Sequence, residues 1–433
     1  MQFRYFLQQL EKYLNDRLEP IDIECVKLFL TFLFIIGLPS AFAQYYKTLP
    51  KGVRLGVIRN VKTGRISSDF NNAQAETPYH FEIDASAKNL GQIADPDTQA
   101  LLQTLEELNP EAYNSLTAGS YEINGSADIE VNGYGLAYGL SDKVSLYTIV
   151  PVYQAKVNVD YRRTKQNSYQ ETARILQTSI GSDLGQAVGN LSHILPDING
   201  KVLQNILVNN YNYKEVGNWE GEGLGDIEIG AMWNFDEGDH YGLLWTNGFV
   251  APTGYVNDPD LLQDVGFGDG QWDLFTEFGG SYVLNSYFIV NSWVRYTHQL
   301  PTTKELRIVE DQDLFISDRK GDFKEKLGDI WDYYADIQVK PLDWMTFKVA
   351  HLITQTDQAR YKSPYTLANQ ILEMDTKTTV RSMRYQFELS SVNSYLKKSF
   401  FLPGEIRIAQ QTMLEGKNTP KFDRYELEFR MYF

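Results

Sequence analysis

Cysteine is almost missing from this 433-residue chain: the single copy, Cys25, lies ahead of the strongest apolar run. The rest of the sequence therefore has no thiol, no disulfide framework and no cysteine metal site. The five histidines, at positions 80, 193, 240, 298 and 351, are scattered and form no H-E-x-x-H pair. No G-x-S-x-G spacing supports a hydrolase either, so no enzyme and no cofactor are expected. Basic side chains are outnumbered, 40 Lys and Arg against 56 Asp and Glu, which argues against a nucleic-acid binder. Beyond one N-terminal run, no stretch reaches the roughly 18 apolar residues that a helical membrane span needs.

That one run is "VKLFLTFLFIIGLPSAFAQ", Val26 to Gln44. Its core from Leu28 to Leu38 is short for a bilayer. Lys27 precedes it, and Pro39 and Ala41-Phe42-Ala43 follow, which is the layout of a cleaved secretory signal. Residues 1–43 divide into an N-terminal extension, 1–25, and the signal, 26–43. The extension is far longer than a normal n-region. Because Val can be read from a GTG start codon, translation from Val26 would give a compact signal, and 1–25 reads as a mis-called start. The mature chain, 44–433, carries a net charge of −15.

What the chain does have is aromatics, 28 Tyr, 23 Phe and 7 Trp, in a polar sequence. It ends on "FDRYELEFRMYF", where Tyr425, Leu427, Phe429, Met431 and Phe433 alternate with Arg424, Glu426, Glu428 and Arg430. Period two places one set on each face of a strand. The pattern resembles the C-terminal insertion signal of bacterial outer-membrane barrels, which the barrel-assembly machinery reads. Similar runs recur from Ala127 onward, after a poorly alternating first strand at Lys51–Phe70. Every second connection is short. The others are long, at 71–121, 162–222, 255–270, 300–326 and 357–379, with 413–420 the least extended.

Short turns on one side and long loops on the other describe an all-β, closed antiparallel transmembrane barrel of about twelve strands, with periplasmic turns and extracellular loops. A soluble β-sandwich predicts no such asymmetry. Ile227, Ile229, Ala231, Trp233 and Phe235 share one face, opposite Asp226, Glu228 and Asn234. In a bilayer the first face meets lipid and the second lines a hydrated lumen. On this reading the lumen-lining candidates are Asp128, Glu130, Asp226, Glu228, Asp273, Glu277, Asp332 and Asp336 on an acidic arc. Lys348, Arg384, Arg407, Arg424 and Arg430 gather on a later, more basic one.

"GLGDIEIGAMW", "APTG" and "GFGDGQWDLFTEFGGSY", with "YGLSDKVSLYTIVPVY" earlier, resemble the outer-membrane family named for the MetA pathway of phenol degradation. That family is related to the FadL-type hydrocarbon transporters. The resemblance covers about a third of the mature chain and rests on Gly, aromatic and turn positions. It implies a barrel and passive transport. A FadL-type transporter also has an N-terminal hatch in its lumen, and the short segment before Lys51 implies that none is present here.

Two loop features invite a functional reading. Leu184, Val188, Leu191 and Ile194, then Val202, Leu203, Ile206 and Leu207, fall at helical spacing. They would form either an apolar capture surface at the barrel mouth or a helical hairpin packed on itself. Thr98–Tyr113 is a similar piece, with Leu101, Leu102, Leu105 and Leu108. "NDPDLLQD", Asn257 to Asp264, with Asp269 and Asp273, lacks the ligand spacing of a calcium loop and reads as a solvated acidic loop with no metal.

The sequence thus points to a bacterial outer-membrane channel for passive uptake of small hydrophobic or aromatic solutes. Its expected partners are membrane lipid, lipopolysaccharide and the assembly machinery, with no nucleic acid. The alternative is a structural or partner-binding surface protein with a filled barrel.

Overall fold

The first and last strands of the chain lie side by side. In the computed structural model, which describes residues 46–88, 96–179, 185–190, 204, 207–310 and 317–433, β1 (Arg54–Thr63) pairs with β12 (Arg424–Tyr432) and with β2 (Thr117–Ser141). The ring continues through β3 (Val144–Lys165), β4 (Ile227–Glu237), β5 (Tyr241–Ala251) and β6 (Asp273–Val283). β7 (Phe288–Gln299), β8 (Ile330–Leu342), β9 (Met345–Thr356), β10 (Thr378–Ser390) and β11 (Gly404–Lys417) complete it. Every neighbour pair is antiparallel and the order follows the chain, so the barrel closes on twelve strands. The segments read as extension and signal, 1–43, lie outside the described residues.

Closure follows from the alternation. Ile58, Trp233, Phe278, Ile337, Tyr385, Ile408 and Phe429 are exposed on the outside, while Arg59, Asn234, Arg295, Gln338, Arg384, Arg407 and Glu428 are buried inside. A water-soluble barrel needs the reverse. With every backbone group paired around the ring, this inversion is stable in hydrocarbon.

On the short-turn side, two-residue links join β2 to β3 and β8 to β9. The β10–β11 link departs from expectation: it runs over 391–403 and carries a short helix, Val392–Leu396, whereas the outer β11–β12 link is shorter. The expected first strand, Lys51–Phe70, also divides. Barrel pairing stops at Thr63, Gly64 donates to the Asp423 carbonyl at 2.8 Å, and Ser68–Phe70 joins a small separate sheet with Glu76–Pro78 and Thr419–Pro420.

β2 and β3, at 25 and 22 residues, are twice the length a bilayer requires and project beyond it. Their far end holds α1 (Pro96–Leu108), α2 (Pro110–Ser115) and α3 (Tyr169–Ser179). α1 stops at Asn109, whose side chain accepts from the Ala112 amide at 3.0 Å to start α2, with Pro110 in the first turn. The Thr117 amide donates to Ser168 Oγ at 3.0 Å and Ser168 Oγ donates to the Ser115 carbonyl at 2.9 Å, locking α2 against the start of α3. A second outer unit joins Thr302–Arg307, Lys320–Lys326 and Arg360–Lys362 into a sheet. Its core is Ile308, Phe323, Tyr361 and Ala368.

At the opposite end, residues 46–50 turn into the lumen. Tyr46 and Leu49 are buried, and Tyr46 clusters with Met232 and Leu244. The Leu49 amide donates to Ser145 Oγ at 2.8 Å, and Thr48 Oγ1 donates to the Asp142 carbonyl at 2.7 Å. Gly139 permits this crossing, because a Cβ there would sit 2.1 Å from the Pro50 carbonyl oxygen. The sequence implied no hatch. Among the described residues, 46–50 nonetheless enter the lumen.

Candidate functional site

Inward positions of β1 and β9 to β12 build a packed ion network. Arg407 Nε reaches Glu388 at 2.8 Å, its Nη2 reaches Glu405 at 2.8 Å, and its Nη1 reaches Glu428 at 3.5 Å. Arg430 Nε lies 2.6 Å from Glu428 and Arg384 Nη1 lies 2.7 Å from Glu426, which also pairs with Arg59. All these side chains are almost fully buried. At such sites the geometry must be good to offset desolvation, and shared carboxylates with several donors meet that demand.

Beside this network is a cavity of about 100 Å³. Its apolar walls are Ile149, Pro151, Val250, Ile330 and Leu352, with two aromatic pairs. Tyr153 stacks on Phe267 at 5.4 Å, and Trp293 on Tyr334 at 5.1 Å. Arg59, Arg384, Arg424 and Glu426 form one polar side, and Asp226, Glu228, Asp332 and Arg295 the other. A second cavity, about 70 Å³, lies on the periplasmic side among Leu49, Leu55, Val57, Met232 and Arg430. Glu228 and Arg295 line both spaces. They form a bidentate bridge at 2.8 and 3.3 Å, Tyr147 donates to Glu228 at 2.7 Å, and the guanidinium carbon of Arg295 stands 3.8 Å over the Phe275 ring. This bridge separates the two cavities, and Leu49 lines the lower one.

The outer mouth is covered by the β5–β6 loop. The Asp226 carboxylate accepts from the amides of Gly254 at 2.8 Å and Asp269 at 3.2 Å, and Thr253 Oγ1 donates to the Gly225 carbonyl at 2.8 Å. Gly254 and Gly268 have to be glycine: a Cβ on Gly268 would lie 2.5 Å from Asp226 Oδ1, and one on Gly254 would lie 2.5 Å from the Phe267 carbonyl. The three quoted motifs "GLGDIEIG", "APTG" and "GFGDG" are therefore one knot. It lowers Phe267 and Val265 onto Tyr153, Ala155 and Ile129 in an apolar cluster that fills the outer lumen.

The loop is not a solvated acidic segment. Asp264 and Asp269 are buried, and Asp264 accepts from the Tyr255 hydroxyl at 2.6 Å and the Asp258 amide at 2.7 Å. Burial pushes the Tyr255 hydroxyl well above its ordinary value, and the Asp264 carboxylate adds to that. Burial likewise holds the Asp269 carboxyl up, at about 7, with Asp226 contributing. Asp258 is held low: burial pushes it up most, but its bond to Lys214, the Asp260 amide and the charges of Lys214 and Lys320 together outweigh that. No group of three or more His, Cys, Asp or Glu that could hold a metal ion occurs among the described residues.

The structure places the lumen-lining candidates as follows. Asp226, Glu228, Asp273, Glu277, Asp332, Asp336, Lys348, Arg384, Arg407, Arg424 and Arg430 share the inward parity of their strands, and most are buried. Asp128 and Glu130 do not. Ala127, Ile129 and Val131 take the inner face of β2, Asp128 is exposed, and Glu130 accepts from Asn60 at 2.6 Å and pairs with Lys62 at 3.1 Å on the outside. There β2 stands beyond the bilayer, so water is outside and the apolar plug is inside.

Of the apolar capture candidates, Leu184, Leu191, Ile194, Leu203 and Ile206 lie outside the described residues. Val188 is fully buried, and neighbouring Gly185 and Gly189 pack against Ala173 of α3, so Val188 is interior to a helical pair rather than offered to a solute. Tyr425, Leu427, Phe429, Met431 and Phe433 are all exposed on the outer face. Sequence reading missed Arg59, Arg295, Tyr153, Phe267, Trp293 and Tyr334. The alternation in "NSWVRYTHQ" could have found Arg295, while Arg59 sits among inward apolar neighbours Leu55, Val57 and Val61, which hid it.

No protein-family model matches the chain, and no curated protein matches it. Among solved structures, the chain is remotely similar to the toluene transporter TodX of Pseudomonas putida (10% identity, 89% of each chain, TM-score 0.32) and to the toluene transporter TbuX of Ralstonia pickettii (8% identity, 89% of this chain and 90% of that one, TM-score 0.33). The chain is similar in fold to the COG4313 outer membrane channel of Pseudomonas putida F1, with a TM-score of 0.50, 12% identity, and coverage of 90% of this chain and 98% of that one.

Proposed function

We propose that this barrel sits in the bacterial outer membrane and passes small hydrophobic or aromatic solutes passively, without chemistry or cofactor. The observation that carries the reading is the mid-lumen cavity of about 100 Å³ between the Tyr153–Phe267 and Trp293–Tyr334 stacks. The aromatic pairs give this space walls suited to a ring; an engineered apolar cavity of about 150 Å³ holds benzene, so one small ring is the upper bound here. Fold likeness to an outer-membrane channel supports the setting. Membership in the family named for the MetA pathway, and insertion through the assembly machinery by the exposed C-terminal face, belong to the same proposal.

The second reading, a filled barrel serving as a surface protein, is favoured by the packed Arg407 network and the apolar plug. Proteoliposome uptake of labelled toluene and phenol separates the two. Entry above that of empty liposomes supports the channel. Entry no faster than through empty liposomes supports the surface protein.

A further inference from the structure

The cavity is not an apolar pocket throughout: one polar side holds Arg295 with Asp226, Glu228 and Asp332, and the other is rich in guanidinium. On the wall built by β1, β10 and β12, three guanidinium groups, Arg59, Arg384 and Arg424, line the space, and Glu426 is the carboxylate that lines it with them. Glu426 already accepts from both Arg59 and Arg384. After those bonds are made, Arg59 Nη1 and Arg384 Nε still find no hydrogen-bond partner among the described residues. Both side chains are more than nine-tenths buried. Buried guanidinium donors are stabilised by acceptors, and a planar carboxylate matches their fork geometry. The same space is lined by Trp293, Tyr334, Leu352 and Ile330, a surface suited to one ring, and by the Asp226, Glu228 and Asp332 carboxylates, of which Glu228 is already bridged to Arg295.

We propose that the cavity is a binding site for a single-ring aromatic carboxylate of benzoate type, its ring between Tyr153 and Trp293 and its carboxylate on Arg59 and Arg384. The inference rests on the channel reading and narrows it: the preferred solute is an aromatic acid, and a bare hydrocarbon lacks the group the wall is built to meet. A ring hydrocarbon in this space would leave the same donors buried without acceptors, a penalty that a carboxylate removes. The volume also bounds the class: at about 100 Å³, below the roughly 150 Å³ of an apolar cavity that holds benzene, a single ring enters only as the lining side chains give way, and a fused-ring acid or a long acyl chain has no room.

The test uses the purified full-length barrel in detergent micelles and three ligands of nearly equal shape: benzoate, benzamide and toluene. Calorimetry at neutral pH should show benzoate binding at least tenfold more tightly than benzamide or toluene. The Arg59→Gln/Arg384→Gln double variant should lose that preference while still binding toluene, and its heat-modifiable gel migration reports whether it has folded. The unmodified protein alone suffices for the decision if the variant does not fold. Equal affinity for the three ligands would overturn the carboxylate assignment and leave the channel reading standing. No binding of any of them, together with no entry of any into proteoliposomes, would overturn both.

Discussion

Asp226 Oδ1 accepts the Gly254 amide at 2.8 Å, and through that bond the start of β4 holds down the loop that roofs the lumen. The same carboxylate takes the Asp269 amide at 3.2 Å, so one side chain anchors both ends of the loop.

Replacing Asp226 with Ala leaves two amides without their acceptor and should weaken the seating of the loop by about 1–3 kcal/mol. Gly268→Ala should act alike, since its Cβ would fall 2.5 Å from Asp226 Oδ1. Limited proteolysis on whole cells should cut both variants faster between residues 252 and 272. Cutting at the native rate would mean that the loop is held elsewhere.

Seating of this loop should depend on pH. Burial raises the Asp269 carboxyl from an ordinary 3.8 to about 7. The Gln271 amide and Lys304 oppose that rise, and Asp226 and Glu325 add to it. The seated loop therefore holds a proton that the released loop gives up between about pH 4 and 7. Seating is strongest below that window, weakens as pH rises through it, and is constant above. Hydrogen exchange over 252–272 should be slower, relative to the intrinsic rate, at pH 5 than at pH 8. Asp269→Asn should flatten the difference; an unchanged pH dependence in that variant would assign it to another group.

Strand faces were legible in the sequence wherever a strand crosses hydrocarbon, because there the solvent on each side is fixed: lipid outside, polar interior. Trp331, Tyr333 and Ile337 against Asp332 and Asp336 can be sorted from the alternation alone. The rule reverses once a strand leaves the bilayer over a filled lumen, and so Asp128 and Glu130 are misplaced by the same reasoning that succeeds for Glu228. Which inward residues meet across the barrel was not legible. The Arg59–Glu426 contact joins positions far apart in the chain and depends on closure between β1 and β12. The loop knot was visible as three glycine-bearing motifs, but only the fold shows that they touch.

Arg407 is the hub of the inner network, and Arg407→Met should leave Glu388 and Glu405 buried without their closest cation. Such a loss typically costs about 3–5 kcal/mol. The variant should lose its folded gel migration at a lower temperature than the native barrel. Adding Glu388→Gln should recover part of the difference. A single variant as heat-resistant as the native barrel would show that the network contributes no net stability.

The final residue closes the ring. The Phe433 amide donates to the Arg54 carbonyl at 2.9 Å and the Arg54 amide donates back at 2.8 Å, while the Phe433 ring faces outward. Replacing Phe433 with Asp should leave synthesis and export intact but reduce the amount of folded barrel in the outer membrane. Charge on the lipid side is unfavourable there, and an unclosed edge invites mispairing. Native amounts of heat-modifiable protein would remove any special role for this residue.

Tyr46 should control how often the lower cavity opens to the periplasm, because it anchors the segment that carries Leu49 into the lumen. Its ring lies against Gly242, where an added Cβ would stand 2.1 Å from Tyr46 Cδ2, and it clusters with Met232 and Leu244. Burying such a side chain stabilises the inserted segment by about 1.5–3 kcal/mol, to which the Leu49–Ser145 hydrogen bond adds. Every 1.4 kcal/mol is about tenfold in population. Tyr46→Ala should therefore release the segment roughly ten- to a hundredfold more often, with the barrel wall untouched. In planar bilayers this predicts longer or more frequent open events and a melting transition close to the native one. Open events of native frequency and duration would place the controlling barrier at the Glu228–Arg295 bridge instead, and Arg295→Met with Glu228→Gln would then be the pair that raises conductance.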